Sequence, residues 1–173
     1  MKKVYLGNNP LTTLATREEG GGGGNDELAK SFIEGSITSV DIPSGTTQIR
    51  SGAFMNCESL ASVTIPNGVK IIDAMAFVGC CSLTSITIPS SVEYYKGPDL
   101  ASPIEGAIRT LAFAACSKLA DVTIKSPTKM VYEENAFAGI ASNAVLHVPS
   151  DLVSKYQADS NWTSAFGGGI VAI

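Results

Sequence analysis

Residues 60–83 read LASVTIPNGVKIIDAMAFVGCCSL, and this stretch is one copy of a repeat. In Ser62-Val63-Thr64-Ile65-Pro66 apolar and polar side chains alternate and β-branched residues dominate, which predicts a short strand with one buried face. Pro66 has no N–H to give to a ladder and ends the strand. Asn67-Gly68 supplies a turn, after which Val69 and Ile72 point back inward. Ala76, Phe77, Cys80 and Leu83 follow at spacings of one, three and three, which suits a single short helical turn or 3₁₀ segment.

Working outward, the strand motif recurs at 39–43, 62–66, 85–89, 121–125 and 145–149, with its last residue at Pro43, Pro66, Pro89, Lys125 and Pro149. The Ala-Phe pair recurs with its ring at Phe54, Phe77, Phe113 and Phe137; the strand motif steps by 23, 23, 36 and 24, and the ring by 23, 36 and 24. Cys57, Cys80 and Cys116, and Leu60, Leu83 and Leu119, repeat the steps of 23 and 36. Independent markers in one register identify stacked units. One unit cannot bury its apolar face alone. Stacking sets Ile on Ile, Phe on Phe and Cys on Cys and makes a continuous core.

The pattern L-x-x-V-x-I-P, then V-x-x-I, then AF-x-x-C-x-x-L resembles the BspA-like leucine-rich repeat family of bacteria, over roughly residues 37–149. The last unit departs from it, with Ile140 in the Cys place and Asn143 in the Leu place. The resemblance implies a non-catalytic solenoid, often on bacterial surfaces and used in adhesion. The expected fold is an α/β solenoid: a stack of about four units, short strands on one face, helical turns on the other, and a helical cap at each end.

The chain of 173 residues suits one domain; it is 45% hydrophobic and 16% charged, so it is neither disordered nor a coiled coil. A net charge of −4 without a basic cluster argues against nucleic acid. No apolar run approaches the roughly 18 residues of a membrane span. The opening MKKVYLGNNP carries two lysines, but Val4–Leu6 is too short for the apolar core of a signal peptide. The chain is therefore expected to be cytoplasmic, cut from a longer precursor, exported by another route, or part of a virion.

Segment by segment, residues 1–24 are expected to form an N-terminal segment ending in the Gly20–Gly24 linker. That glycine run lacks the Gly-Lys-Ser/Thr of a phosphate loop. Residues 25–36 are expected to form a helical cap, with Asn25 or Asp26 at its start, Leu28, Phe32 and Ile33 on one side and Gly35 at its end. The repeats follow over 37–149. Pro89 to the next Ala-Phe is 13 residues longer than before. Tyr95 and Ile108 both fit the Ile72 place, so the extra residues fall at 96–107, KGPDLASPIEGA, a Pro- and Gly-rich loop. Residues 150–173 are expected to cap the other end, through a helix capped by Ser150 or Asp151, with Trp162 and Phe166 over the core and an apolar tail at 170–173. Asn161-Trp162-Thr163 fits the N-glycosylation pattern, which a bacterial source would leave unused.

The cysteines read as an inward column of small apolar side chains, not as a disulfide framework, and with one distant histidine they do not make a zinc site. His147, the sole histidine, falls at the outward Thr64 and Thr87 place, and no base, nucleophile and orienting group converge. No catalytic, cofactor or metal residue is therefore expected. The expected function is partner binding, to a protein or a glycan. The candidate residues are the outward strand positions Ser62, Thr64, Ser85, Thr87, Asp121, Thr123 and His147, flanked by Ser39, Asp41 and Val145, with Lys96, Asp99 and Glu105 of the insertion. A standard interface needs about 800 Å² on each partner, which a sheet of four or five short strands barely offers, so the insertion is expected to contribute. The alternative is a structural or receptor-contacting part of a phage tail or another large assembly.

Overall fold

The computed structural model describes residues 37–92, 108–131, 133 and 135–173. The expected N-terminal segment and cap, and the 96–107 insertion, lie outside them. Strands β1 (Ser39–Asp41), β3 (Ser62–Thr64), β5 (Ser85–Ile88), β6 (Asp121–Ile124) and β7 (Val145–Val148) are the five copies of the strand motif. They pair in parallel in the repeat register: Ser39 with Ser62, Ser85 with Asp121, and Asp121 with Val145. Parallel neighbours need a crossover, and the rest of each unit provides it. The strands do not make one continuous sheet. β1 pairs with β3, and β5, β6, β7 and a further strand form a second sheet; β3 lies beside β5 without being paired to it.

A second column of shorter strands stands behind the first. β2 (Gln48–Ile49) pairs with β4 (Ile71–Ile72), and an isolated bridge continues from Ile72 to Ile108. Ile108 therefore holds the Ile72 place in unit three.

The segment carrying Ala-Phe and Cys is not a helical turn. It is a run of β-turns: Ala53 N–H donates to Arg50 O, Cys57 N–H to Phe54 O and Leu60 N–H to Cys57 O, each three residues back. The intervening N–H groups point to the next unit instead. Phe54, Phe77 and Phe113 donate to Ala76, Ala112 and Ala136 carbonyls, each at 2.8 Å. A helix would spend these donors within its own turn. Here they build a third ladder between units. Two residues per segment take left-handed backbone: Gly52, Met75, Leu111 and Asn135 in one row, Asn56, Gly79, Ala115 and Gly139 in the other.

The core runs along the stack axis. The rings of Phe54, Phe77, Phe113 and Phe137 stand in a row, with centroid distances of 5.0, 5.1 and 5.3 Å and planes within 6°. Leu60, Leu83 and Leu119 are fully buried beside them. In unit four Asn143 is exposed and Ala144 is buried in its stead. Burying one such side chain contributes roughly 1.5–3 kcal/mol. Cys57, Cys80 and Cys116 are free and buried. Burial pushes the Cys57 thiol up to about 11. The neighbouring Cys116 thiol, and then burial, push Cys80 up further.

After β7 come a 3₁₀ turn (Ser150–Leu152) and two short helices, α1 (Val153–Gln157) and α2 (Ser160–Ala165). Neither Ser150 nor Asp151 caps them: α1 begins without a side-chain cap because it continues directly from the 3₁₀ turn. Asp159 caps α2, accepting from Asn161 N–H at 3.1 Å. Trp162 and Phe166 lie on Phe137, with ring centroids 5.9 and 5.2 Å away, and Tyr156 meets Trp162 edge-on at 4.9 Å. The apolar tail is a strand, β8 (Gly169–Ala172), parallel to β7. Gly167 lets the chain turn back onto unit four: a Cβ there would lie 2.2 Å from Ser142 O.

Candidate binding surface

Alternation along each strand decides which side chains face outward. In β5 and β6, Ile86, Ile88, Val122 and Ile124 are buried, so Ser85, Thr87, Asp121 and Thr123 take the open side. Parallel register then sets like positions side by side. One row is Ser85, Asp121, Val145 and Gly169; the next is Thr87, Thr123, His147 and Val171. Ser62 and Thr64 are exposed on β3, opposite Ser39 and Asp41 of β1. The unpaired junction between β3 and β5 divides these columns into two patches. Lys96, Asp99 and Glu105 lie outside the described residues.

The chemistry of this face is hydrogen bonding. Hydroxyls of Ser85, Thr87 and Thr123 both donate and accept. His147 and Asp121 stand diagonally across the strand pair, Nε2 to Oδ1 at 3.4 Å, with side chains 31% and 62% exposed. This is an open surface pair on a sheet, with the hydroxyl residues Ser85 and Thr123 as its cross-strand neighbours. Among the described residues no group of three His, Cys, Asp or Glu could hold a metal ion, and no helix is long and apolar enough to cross a membrane.

Two features of the surface escaped the sequence reading. Val171 extends the outward row onto β8 and is 40% exposed. Arg50, Asp73, Arg109 and Glu133 occupy one register position in four successive units, with alternating charge. Arg109 Nε lies 3.5 Å from Asp73 Oδ1, Asp73 also accepts from Gln48 at 3.1 Å, and Glu133 accepts from Thr110 N–H at 2.8 Å. The signal was the repeat spacing itself, but the residues share a place and not an identity.

The profile of the BspA type leucine rich repeat region matches residues 29–97 and 104–158, in six copies. The chain belongs to this family. BspA-type repeats are interaction repeats and typically non-enzymatic. Among solved structures, the BspA-type chain is similar to a leucine rich cell surface protein of Faecalibacterium prausnitzii A2-165, with 26% identity and a TM-score of 0.47 over 76% of this chain and 29% of that one. It is also similar to a leucine-rich repeat protein of Bacteroides ovatus ATCC 8483, with 22% identity and a TM-score of 0.35 over 67% of this chain and 40% of that one. The BspA-type chain thus spans well under half the length of either. No curated protein matches it.

Proposed function

We propose that this chain is a non-catalytic binding module of a bacterial surface protein, used in adhesion, and that it holds a protein or glycan partner on the outward face of its strands. The observation that supports this is the in-register row Thr87, Thr123 and His147 beside Ser85 and Asp121, an open array of hydroxyls, one imidazole and one carboxylate. Each internal unit repeats the donor and acceptor set at the strand spacing of about 4.8 Å, which suits a partner that itself repeats, such as a glycan chain or a strand edge. Ser62 and Thr64 form a second, smaller patch across the unpaired β3–β5 junction. The insertion residues Lys96, Asp99 and Glu105 supply charge and the area that the short strands lack.

The test uses the purified chain against a panel of immobilised host matrix proteins and glycans. Binding to one member is expected to fall at least tenfold, roughly 1.4 kcal/mol, in a Thr87→Arg, Thr123→Arg double variant that keeps its melting temperature. Binding that survives that variant unchanged overturns the assignment of this face. Deleting 96–107 with affinity unchanged removes the insertion from the site and leaves the sheet.

A further inference from the structure

The third ladder, between turn segments, does not stop at a closed end. In its inner row Asn56 N–H donates to Val78 O at 2.8 Å, Gly79 N–H to Ala114 O at 2.9 Å, and Ala115 N–H to Ala138 O at 2.7 Å. Gly139 is the fourth member of this row and has the same left-handed backbone, φ 71° against 58°, 73° and 58°. Among the described residues nothing accepts its N–H. In the outer row Gly52 N–H donates to Ala74 O and Met75 N–H to Thr110 O, both at 3.1 Å. Asn135 is the last member of that row, and its N–H likewise meets no acceptor among the described residues. Two donors four residues apart are left at the end of the stack, where a further unit would have brought two carbonyls.

These donors sit in a cleft of ≈ 450 Å³ between the unit-four turn and helix α2, whose Asn161, Ser164 and Ala165 form the opposite wall. The volume lies within the roughly 300–1,000 Å³ typical of ligand sites. Among the described residues no charged side chain lines it, which suits a neutral ligand. The ring of Phe137 at its base is buried under Trp162 and Phe166, so the described residues offer no open aromatic face there for a sugar to stack on. At the internal junctions the same donors are met by the backbone carbonyls of Ala74 and Val78, of Thr110 and Ala114, and, in the inner row, of Ala138.

We propose that this cleft is a second binding site, which takes a short neutral peptide segment of small residues from a partner protein. The segment sets its backbone carbonyls on the N–H groups of Asn135 and Gly139, in the manner in which each unit docks on the one before it. Asn161 and Ser164 offer side-chain hydrogen bonds from the other wall. The site is separate from the strand face, and its fate does not depend on that proposal.

The experiment is an amide NMR titration of the whole chain with the capped peptide acetyl-Ala-Ser-Ala-Gly-Ala-amide. The expected result is a downfield shift of the Asn135 and Gly139 amide protons, saturating at millimolar peptide, with the strand face unmoved. Ser164→Phe fills the cleft from an exposed position on α2 and is expected to weaken binding roughly tenfold or more while leaving the rest of the spectrum intact. Thr87→Phe, on the strand face, leaves binding unchanged. Amides of Asn135 and Gly139 that stay still at millimolar peptide, or shifts that survive Ser164→Phe, overturn the proposal. It is equally overturned if a disaccharide moves these amides and the peptide does not, or if they shift with the concentration of the chain alone, which assigns the cleft to a second copy.

Discussion

The thiol of Cys80 donates to the carbonyl oxygen of Phe54, one unit away, at 3.2 Å, and Cys116 repeats the contact to Phe77 at 3.1 Å. The Phe54 carbonyl already accepts from Cys57 N–H at 3.2 Å, so the thiol satisfies its second lone pair inside the core. A thiol is small and apolar enough to stack, yet still donates. Alanine at this place would leave a gap and an under-satisfied carbonyl. Cys80→Ala is therefore expected to cost about 1–3 kcal/mol, read as a lower urea midpoint at unchanged slope.

The row of phenylalanine rings makes the stack cooperative. Phe77 and Phe113 each have a ring neighbour on both sides, whereas Phe137 meets the tilted rings of Trp162 and Phe166. Phe77→Ala or Phe113→Ala is expected to cost about 3–5 kcal/mol. The rings are in contact, so the double variant should cost less than the two single losses added together. Equilibrium unfolding of all three variants measures this, and strict additivity would mean that the rings do not act as one column.

How much of this was open to reading from residues alone follows from what recurs. Phe54, Phe77, Phe113 and Phe137 recur as identical residues in one register, and the row of rings was legible for that reason. The turn segment was misread as helical because Ala76, Phe77, Cys80 and Leu83 have the same spacing in a helical turn and in a run of β-turns. Spacing tells which side chains go inward and is silent about which carbonyl each N–H meets. Gly79 and Gly139 hinted at left-handed backbone, but Ala115, Met75 and Leu111 stand at equivalent places and blur the hint. The gap between β3 and β5 was hidden because Ser62-Val63-Thr64 and Ser85-Ile86-Thr87 look alike. The outward place of Ser85, Thr87, Asp121, Thr123 and His147 followed from alternation. The cleft beside Gly139 did not, since it arises where the pattern stops.

Left-handed backbone at non-glycine residues is a reserve of instability. Ala115 has φ 58°, is exposed, and through its backbone donates to Ala138 O and accepts from Cys81 Sγ. Left-handed backbone costs an L-residue about 1–2 kcal/mol, and the greater freedom of glycine in the unfolded chain returns roughly half of that. Ala115→Gly is expected to stabilise the chain by about 0.5–1 kcal/mol. The opposite change at the preceding place, Gly79→Ala, should destabilise by about 1–2 kcal/mol, because φ is 73° and the new Cβ would sit 2.5 Å from Asn56 Oδ1. Thermal melts of the two variants should shift in opposite directions.

Acid should act first on the end of the stack that carries the helices. Lys129 Nζ lies 2.6 Å from Asp159 Oδ2, and 5.8 Å from the Tyr156 ring centre, so it ties the approach to unit four to the start of α2. The hydrogen bond from Lys129 holds the Asp159 carboxyl below its usual range, against the opposing effect of burial. A carboxyl with a lowered folded-state pKa stabilises the fold above its unfolded value, and that contribution is lost as pH falls through the folded one. Stability should therefore hold from neutral pH down to about 4 and then decline. Asp159→Asn keeps an oxygen to cap Asn161 N–H but removes the charge, so it should lower the melting temperature at pH 7 and flatten the decline below pH 4. Matching pH–stability curves for the two chains would show that the Lys129–Asp159 pair does not secure α2.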